Sequence, residues 1–310
     1  MAGAGACPAG QRGVTAAIDS GRRRFLGVTA ALGAVAAGGL FAGWARPALA
    51  GPARMVTIGA AVTETVWALG AGDRIVAVDT TSMSPAEAQR LPKVGYMRTL
   101  AAEGVIATGA TRVIADDGAG PASTLDQIRA AGIDLRMVTS ATRIDQVEAA
   151  IVAVGDAIDL HDPAVALGLQ VTAALAEVAE AALALPVHPS VMCLIGVGNA
   201  GLMAAGRDTA AAAVIRLAGG RNAFELSADY APISAEAAAA MAPEVLAMPT
   251  HAIARLGGRE AVLALPQLRL TPAAMAGRLI AIDSRALSGL GPSTADVATA
   301  FAADLAQVMG

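Results

Sequence analysis

Residues 55–78 read MVTIGAAVTETVWALGAGDRIVAV, and this segment establishes the class of fold. Its first four residues form a continuous apolar run that Gly59 ends, which is typical of a buried strand. Residues 63–69 then favour a helix that stops at Gly70, and residues 74–78 form a second apolar run. Two apolar strands joined by a helix predict a parallel sheet that is covered on both faces.

The same alternation continues along the chain. A strand is predicted at Arg112–Ala115, followed by a helix over Ser123–Ala131 that Gly132 closes and by a strand at Asp134–Val138. Further strands and helices are predicted beyond residue 185: strand Val191–Ile195, helix Thr209–Leu217, strands Val245–Met248 and Leu279–Ile282, and a last helix opened by a capping box at Ser293–Asp296. Two α/β units therefore follow one another.

Between the two units, residues 144–185 contain mostly helix-forming side chains, with one break at residues 159–163. Asp162 suits the N-cap of a new helix, and Pro163 suits its first turn. We expect this helix to run from about Ala164 to Leu183, with a length of about 30 Å at roughly 1.5 Å per residue. A helix of that length can bridge two lobes.

The two units also resemble each other. Leu69–Arg74 recurs as Leu217–Asn222, and the helix start at Ala101–Glu103 recurs at Ser234–Glu236. The predicted fold class is α/β, with two similar three-layer lobes whose parallel sheets are joined by one long helix, so that a ligand would bind in the cleft at the carboxyl ends of the strands. The predicted divisions are an N-terminal lobe at 51–160, a linking helix at 161–185 and a C-terminal lobe at 186–310.

The first 50 residues predict a cleaved export signal of the twin-arginine type. Arg22–Arg24 precede an apolar run that begins at Phe25 and continues to Trp44, and the small-residue triplet Ala48–Ala50 follows. This order of a basic region, an apolar region and an A-x-A site is that of a signal peptide. A permanent membrane anchor is the alternative, against which the A-x-A site argues. We expect a soluble periplasmic protein that begins near Gly51.

Charge and cysteine content narrow the function classes. Removal of residues 1–50 takes away five arginines and one aspartate, which leaves 17 basic and 25 acidic residues and a formal net charge of −8. An acidic protein is a poor ligand for nucleic acid or for an anionic membrane surface. Only Cys193 remains in the mature chain, so no intramolecular disulfide is expected.

Catalytic motifs are absent from the sequence. His161, His188 and His251 have no second ligand or nucleophile at motif spacing, and no G-x-S-x-G, H-E-x-x-H or P-loop is present. Residues 196–201 satisfy G-x-G-x-x-G after a strand, but no helix opens at once and no acidic residue follows at the ribose-binding spacing. This segment is interpreted as a loop that lines the cleft, and the protein is not expected to be an enzyme.

One loop concentrates the candidate binding residues. Residues 91–100 read LPKVGYMRTL, follow a strand of the first unit and carry Tyr96 and Arg98. Loops marked by Pro and Gly at the cleft edge commonly carry function. From spacing alone, an ordinary loop tyrosine beside a solvated arginine is an equally good interpretation.

The loop resembles the Gly-Tyr-x-Arg/Lys-x-Leu segment of the substrate-binding proteins of bacterial haem ABC importers, which have the helical-backbone, class III architecture. The similarity extends over essentially the whole mature chain. Further segments share the family pattern: Ala205–Thr209, Leu217–Asn222, Tyr230–Glu236, Leu263–Pro266 and Gly289–Pro292. The resemblance implies a periplasmic protein that binds haem b as transported cargo and delivers it to an inner-membrane permease.

The resemblance also implies roles for individual residues. Tyr96 would be the axial ligand of the haem iron, since ferric iron favours an anionic oxygen. Arg98 would offer its charge to the phenolate or to a haem propionate. The loop at 196–206 lacks the histidine that some members use as another ligand, so five-coordinate iron is expected, with Met203 as an apolar lid more than as a ligand. Arg207 is a candidate propionate partner from the second lobe.

Each of three further residues has two possible roles. Tyr230 matches a family tyrosine and has either a structural or a pocket role. Glu103 and Glu236 head equivalent helices, where an acidic residue either caps the helix or docks on the permease. The remaining alternatives for the whole protein, expected to be a monomer, are a ferric siderophore or corrinoid as ligand, an exported enzyme that holds a cofactor at its Gly-rich loop, and a haem carrier without a permease.

Overall fold

The computed structural model describes residues 53–197 and 201–310. The predicted twin-arginine signal at residues 1–50 lies outside these residues. The first lobe has these elements: β1 (Met55–Ile58), α1 (Ala60–Ala68), β2 (Ile75–Val78), α2 (Ala86–Gln89), α3 (Ala102–Ile106), β3 (Arg112–Asp116), α4 (Ala122–Ala130), β4 (Asp134–Val138) and α5 (Val147–Ala157). Its sheet has the order β2-β1-β3-β4, and all three strand pairs are parallel.

Alternate residues of the first sheet enter two different cores. Val56 and Ile58 of β1 pack with the residues of α3 and α4, whereas Met55 packs with those of α1 and α5. We call the side covered by α3 and α4 the front of this lobe and the side covered by α1 and α5 its back. Because helices cover both faces of this sheet, successive residues of its strands are buried, which explains the continuous apolar runs in the sequence.

The linking helix α6 spans His161–Leu183 and begins earlier than predicted. Its N-cap is Leu160, whose side chain has no capping group, so the prediction of Asp162 as N-cap is wrong. The chain reverses through Asp159, which has a φ of 64°, and Leu160 N donates to Gly155 O at 2.8 Å. This tight turn starts the helix at once and places Asp162 in its first turn, where a negative charge is favourable.

Helix α6 packs closely against α5 and also contacts α12 of the second lobe. Gly155 of α5 makes the close approach possible, because a Cβ there would lie within 2.9 Å of Leu160 O. The buried positions Ala164, Gly168, Val171 and Leu175 follow a helical stripe. By length and composition α6 could also cross a membrane, the one such helix in the described parts of the chain.

The second lobe has a larger, mixed sheet. Its elements are β5 (Ser190–Val197), β6 (Gly201–Ala204), α7 (Ala210–Leu217), β7 (Arg221–Asn222), β8 (Ala231–Pro232), α8 (Ala235–Met241), β9 (Val245–Pro249), α9 (Thr250–Arg255), α10 (Arg259–Leu263), α11 (Pro272–Met275), β10 (Leu279–Ile282) and α12 (Thr294–Met309). The order is β10-β9-β5-β6-β8, with β7 also paired to β5. Strands β10, β9, β5 and β7 are parallel, and β6 and β8 add an antiparallel edge.

This sheet also has a front and a back. Met192 and Leu194 of β5 pack with residues of α8–α11, which form its front. Val191 and Cys193 pack with residues of α6, α7 and α12, which form its back, and residues of α5 in the first lobe join the same core. The two lobes are therefore fused along their backs, and the fronts lie away from α6.

The segment after β10 completes this seam between the lobes. Leu290 N donates to Ala141 O at 2.8 Å, and Gly289 has a φ of 105°. Ser293 precedes α12, but its hydroxyl forms no capping bond, so the predicted capping box is wrong. That hydroxyl instead hydrogen-bonds the carboxyl of Glu64 on α1. Burial raises the pKa of the Glu64 carboxyl, and the hydrogen bond from Ser293 opposes this shift.

Candidate functional site

The Tyr96 loop extends the edge of the first sheet. Val78 at the end of β2 accepts a hydrogen bond from Val94 N at 3.0 Å, and Thr80 N donates to Gly95 O at 2.9 Å. The segment before Tyr96 therefore runs beside β2 and past its carboxyl end. Tyr96 itself is 46% exposed. The structure places this tyrosine on the front of the first lobe, at the sheet edge where a ligand was predicted.

A second set of hydrogen bonds holds the other side of the loop. Gly120 N donates to Met97 O at 2.8 Å, and Leu100 N donates to Gly120 O at 2.9 Å. Leu100 is buried in the front core. Gly95 has a φ of 109°, which is a backbone conformation that side chains with a Cβ rarely adopt. The loop is therefore fixed between the segments that follow β2 and β3.

Lys93 is the single lysine of the chain, and its ammonium anchors the loop. This ammonium donates to Ser82 O at 3.2 Å and to Ala88 O at 3.0 Å. Partial desolvation lowers the pKa of Lys93, and the charge of Asp79 opposes that shift. Sequence reasoning missed this residue, although its uniqueness and its position three residues before Tyr96 were visible.

The carboxylate of Asp79 is wholly buried and fully satisfied. It accepts hydrogen bonds from Gly59 N at 3.0 Å, from Thr81 N at 2.9 Å and from the hydroxyls of Thr81 and Ser82, both at 2.7 Å. A buried carboxylate needs such partners, since an unpaired one is costly. The network fixes the segment after β2, on which the Tyr96 loop rests.

Asp116 closes β3 and lies near Arg98. Burial raises the pKa of its carboxyl, and three contacts oppose the shift, namely hydrogen bonds from the Ser140 hydroxyl and from Gly118 N and the charge of Arg98. The Gly118 N to Asp116 Oδ1 distance is 2.7 Å. Arg98 itself is exposed. The loop thus presents a tyrosine and a cation above a buried carboxyl that sequence reasoning also missed.

In the second lobe, Met203 lies on the β5–β6 hairpin. It stands opposite Ile195 of β5 and Pro232 of β8, and it is partly buried. A second antiparallel strand follows β5 where a dinucleotide-binding motif would need a helix. Residues 198–200, which include Asn199, lie outside the described residues.

Arg207 is bound within its own lobe. Its guanidinium lies 3.6 Å from a carboxylate oxygen of Asp208 and 3.4 Å from the carbonyl of Glu225. Within residues 53–197 and 201–310, no hydrogen bond or ion pair joins it to Tyr96 or Arg98. The predicted propionate partner therefore does not meet the Tyr96 loop directly.

Tyr230 faces the back of the second lobe. Its ring packs against the core that contains Cys193, and its hydroxyl is buried without a hydrogen-bond partner among the described atoms. Burial raises the pKa of the Tyr230 phenol, and nearby Cys193 and Asp229 add to the shift. The same burial raises the pKa of the Cys193 thiol to about 12. Tyr230 is therefore a neutral phenol inside the core.

Glu103 and Glu236 occupy equivalent places. Each is the second residue of its short helix, α3 or α8, and each is exposed on the front of its lobe. The pKa of Glu236 is lowered, first by its own backbone N–H and then by the Ser234 hydroxyl. One carboxylate per lobe is thus available to a partner.

The histidines are held by local contacts. His161 pairs with Asp156 at 2.6 Å, His188 Nδ1 lies 2.8 Å from Gly219 O, and His251 lies 3.3 Å from the Ser284 hydroxyl. The pKa of His161 is raised, chiefly by its bond to Asp156. In the part of the chain that the structure describes, no cluster of three or more His, Cys, Asp or Glu side chains could hold a metal ion.

The chain is similar to known transport proteins. A sequence profile described as "Periplasmic binding protein" matches residues 55–286. The structure of the periplasmic heme-binding protein RhuT from Roseiflexus sp. RS-1 superposes with a TM-score of 0.79 at 34% identity, over 84% of this chain and 100% of that one. The periplasmic heme-binding protein BhuT, in complex with two hemes, gives a TM-score of 0.76 at 34% identity, over 84% and 100% of the two chains.

A second similarity covers less of the chain. The vitamin B12-binding protein of Yersinia pestis (strain Pestoides F) is 32% identical over 94 residues, which are 30% of this chain. The matched segment spans 33% of the length of that relative. The similarity to RhuT and BhuT, in contrast, covers 84% of this chain and the full length of both of those proteins.

Proposed function

Because this chain belongs to the periplasmic binding protein family, we propose that it binds haem between its two lobes in the periplasm and delivers it to an inner-membrane ABC importer. One observation carries the proposal: Tyr96 is exposed on a loop whose backbone is fixed on both sides. A fixed, solvent-facing phenol is the group that a ferric haem would need from the protein. The similarity to RhuT and BhuT supports the same ligand.

Tyr96 would bind the iron as a phenolate. Ferric iron favours an anionic oxygen ligand, and its charge in turn favours the deprotonated phenol. Arg98 lies two residues further along the loop, where its charge reaches either the phenolate or a propionate. The iron would be five-coordinate, with Met203 as an apolar cover from the second lobe.

Two residues of the second lobe have weaker support as ligand contacts. Arg207 has long contacts with Asp208 and Glu225, and the remaining donors of its exposed guanidinium could serve a propionate. The buried, unpartnered hydroxyl of Tyr230 favours the structural alternative. We therefore assign the iron to Tyr96 alone.

Delivery would use Glu103 and Glu236. A symmetric pair of exposed carboxylates, one on the front of each lobe, suits a permease that presents one basic residue to each lobe. We further propose that the protein is a soluble monomer, exported by the twin-arginine route, and that it carries out no catalysis.

A corrinoid is the second candidate ligand, which the segment shared with the vitamin B12-binding protein favours. A ferric siderophore has no observation of its own in the described residues. The corrinoid and haem differ in their need for Tyr96, because a corrin holds cobalt that prefers nitrogen ligands to phenolate. A binding assay with both ligands separates them.

The test is a titration of the mature protein, residues 51–310, with haemin, read by visible absorption. We expect a high-spin ferric spectrum with a phenolate charge-transfer band, and loss of that band in Tyr96→Phe. Cyanocobalamin should not displace the haemin. The proposal would be refuted if the spectrum of haemin did not change when the wild-type protein was added. It would also be refuted if haemin gave the same spectrum with Tyr96→Phe as with wild type.

Docking has a separate test. The double variant Glu103→Lys/Glu236→Lys should bind haemin like wild type but no longer stimulate the ATPase of its permease. The control, Glu87→Lys/Glu260→Lys, reverses two other helical carboxylates, one per lobe, and should leave stimulation intact. Equal stimulation by both double variants would mean that the two carboxylates are only helix caps.

A further inference from the structure

Glu64 lies in the middle of α1, on the back of the first lobe, and its carboxyl contacts the second lobe. It accepts hydrogen bonds from the hydroxyl and from the backbone N–H of Ser293. The two lobes approach closely at this point, since a Cβ added to Gly291 would lie 3.3 Å from Glu64 Oε2. A carboxyl of the first lobe therefore meets the residues that begin α12 of the second.

This contact replaces the capping box that the sequence predicts for α12. Ser293 is the N-cap residue, and Asp296 is the third residue of the helix, whose side chain would accept the N-cap N–H in a capping box. The acceptor of that N–H is Glu64 instead. A carboxylate is also favoured by the partial positive charge at a helix N-terminus. Glu64 thus caps, from one lobe, a helix that belongs to the other.

Two charged groups surround the Glu64 carboxyl. Arg285, which lines the same small cavity of about 10 Å³, and Asp283 act on it with opposite signs, and they pair with each other at 2.7 Å. Within residues 53–197 and 201–310, no charged group of α5 or α12 acts on it. Burial raises the pKa of Glu64, and the bonds from Ser293 and the charge of Arg285 oppose the shift. Its ionisation is therefore less favourable in the folded protein than in the unfolded chain.

The neighbouring residue on α1 connects this contact with the Tyr96 loop. Thr63 is wholly buried, and its hydroxyl oxygen lies 2.7 Å from that of Ser82. The carbonyl of Ser82 accepts a hydrogen bond from the ammonium of Lys93 at 3.2 Å. Lys93 stands three residues before Tyr96. Two adjacent residues of α1, Thr63 and Glu64, therefore bind the support of the Tyr96 loop and the second lobe, respectively.

We propose that Glu64 is a positioning residue of the ligand site: it holds α1 against α12, and through Thr63 and Ser82 it fixes the loop that presents Tyr96. This inference rests on the proposed function and deepens it, because it names the contact that sets the Tyr96 loop relative to the second lobe. A movement of the second lobe that draws α12 away from α1 would loosen the loop. Such a movement on the permease would favour release of the ligand.

The experiment titrates wild type and single variants with haemin, and reads the affinity and the visible spectrum at saturation. Glu64→Gln keeps the shape of the side chain but has one acceptor oxygen in place of two, so that Ser293 loses a hydrogen bond. Haemin binding should weaken by about threefold to tenfold, as expected for one hydrogen bond whose loss reaches the site. The phenolate band should also shift, because Tyr96 remains but its loop is displaced.

Variants of Thr63 test the connection itself. Thr63→Val removes the hydroxyl at nearly constant volume and should reproduce the weaker binding and the shifted band, whereas Thr63→Ser keeps the hydroxyl and should restore most of the wild-type behaviour. The double variant Glu64→Gln/Thr63→Val should bind about as well as either single variant, because both act on one chain of contacts. Glu148→Gln, which changes another partly buried carboxylate on the back of the first lobe, is the control and should bind haemin like wild type.

Thermal unfolding separates positioning from a general loss of fold. Because the pKa of Glu64 is raised, wild type loses stability relative to Glu64→Gln as the pH rises from about 4.5 through the raised pKa. At pH 7 the variant should therefore unfold at the same temperature as wild type or at a higher one, and yet bind haemin more weakly. A lower unfolding midpoint together with weaker binding would make Glu64 a stabilising residue and overturn the positioning role.

The remaining outcomes distinguish this inference from the proposed function. Wild-type affinity and an unshifted phenolate band in Glu64→Gln would overturn the role of Glu64 and leave Tyr96 as the iron ligand. Losses of affinity that multiply fully in the double variant would show that Thr63 and Glu64 act separately, which would overturn the connection. A wild-type protein without a phenolate band would instead overturn the proposed function, and this inference with it.

Discussion

Tyr96 and Tyr230 are the two tyrosines of the chain, and the fold treats them in opposite ways. Tyr96 lies on the front of the first lobe and is 46% exposed, whereas the Tyr230 hydroxyl is buried at the back of the second. A phenol can bind iron only if its oxygen is accessible, and a rigid loop lowers the entropic cost of that binding. The backbone around a tyrosine, more than the tyrosine itself, therefore separates a candidate ligand from a core residue.

The surroundings of the two residues differ in the same sense. The Tyr96 loop is held by the ammonium of Lys93, rests on the segment that the buried Asp79 carboxylate fixes, and lies beside the buried carboxyl of Asp116. Tyr230 is surrounded by apolar side chains and the Cys193 thiol. Polar groups therefore fix the Tyr96 loop in the first lobe, whereas apolar packing surrounds Tyr230 in the second lobe.

The largest expected effect on stability and haemin affinity comes from Gly95→Val, which should disturb the backbone conformation of the Tyr96 loop. The φ of 109° strains a residue with a branched Cβ, although no atom outside the loop blocks the site. We expect a loss of about 1–3 kcal/mol of unfolding free energy, together with at least about tenfold weaker haemin binding. Urea unfolding and haemin titration measure the two effects.

Gly132→Val is the matched control. Gly132 has a φ of 80° in the turn between α4 and β4, and a Cβ added there would have no neighbouring atom within 4 Å. This variant should lose similar stability but keep the wild-type affinity for haemin. Equal losses of affinity in both variants would mean that the Tyr96 loop has no special need for rigidity.

A smaller effect is expected from Lys93→Met, which keeps the length of the side chain but removes its ammonium. The carbonyls of Ser82 and Ala88 would lose the ammonium as a donor, although Ala88 O keeps the hydrogen bond from Leu91 N, at a cost of about 0.5–1.5 kcal/mol. Haemin binding should weaken by about threefold to tenfold, since the loop is displaced and Tyr96 is retained. Lys93→Arg, which restores a cation, should recover part of both losses.

The outcome of Lys93→Met bears directly on the contrast between the two tyrosines. If the variant unfolds more easily but binds haemin with unchanged affinity and spectrum, Lys93 supports only the local fold. A blue or red shift of the phenolate band at full saturation would instead show that the ammonium sets the position of Tyr96.

Asp116→Asn should change the pH dependence of stability. Burial raises the pKa of this carboxyl above 3.8, so the folded protein holds the proton more tightly than the unfolded chain. Wild type therefore loses stability relative to Asp116→Asn as the pH rises from about 3.8 through the raised pKa. Urea unfolding at a series of pH values measures this trend.

Arg98→Met extends the same measurement. The charge of Arg98 opposes the rise in the pKa of Asp116, so its removal should widen the pH range over which stability is lost. Asp117→Asn, which removes an exposed neighbouring carboxylate that helps to raise the pKa of Asp116, should instead narrow this range. A wild-type profile parallel to that of Asp116→Asn would show that folding does not shift the pKa of Asp116.

Local sequence patterns were enough to predict most of the helices and strands. The predicted bounds of β1 and β4 agree with the structure, and α6 begins only three residues before the predicted start. Apolar runs and Gly or Pro stops carry this information, because each element buries its own faces. The β5–β6 hairpin and the short strands β7 and β8 were missed, because their pairing depends on distant segments and not on their own two to four residues.

The site was predictable only in part for the same reason. Tyr96 and Arg98 stand together in one conspicuous loop, so the sequence could mark them. Lys93 matters because of carbonyls five and eleven residues away. Such roles arise from tertiary neighbours, which no local pattern contains.

The smallest effect is expected from Tyr230→Phe. This change removes a buried hydroxyl that has no partner among the described atoms, and leaves the ring in its core. An unpaired buried hydroxyl is unfavourable, so the free energy of unfolding should stay the same or rise by about 1 kcal/mol. Tyr96→Phe, which changes an exposed ring, should shift that free energy by less than about 0.5 kcal/mol while abolishing the phenolate band. A Tyr230→Phe protein with a weakened haemin spectrum would place the second tyrosine in the pocket and end the contrast between the two residues.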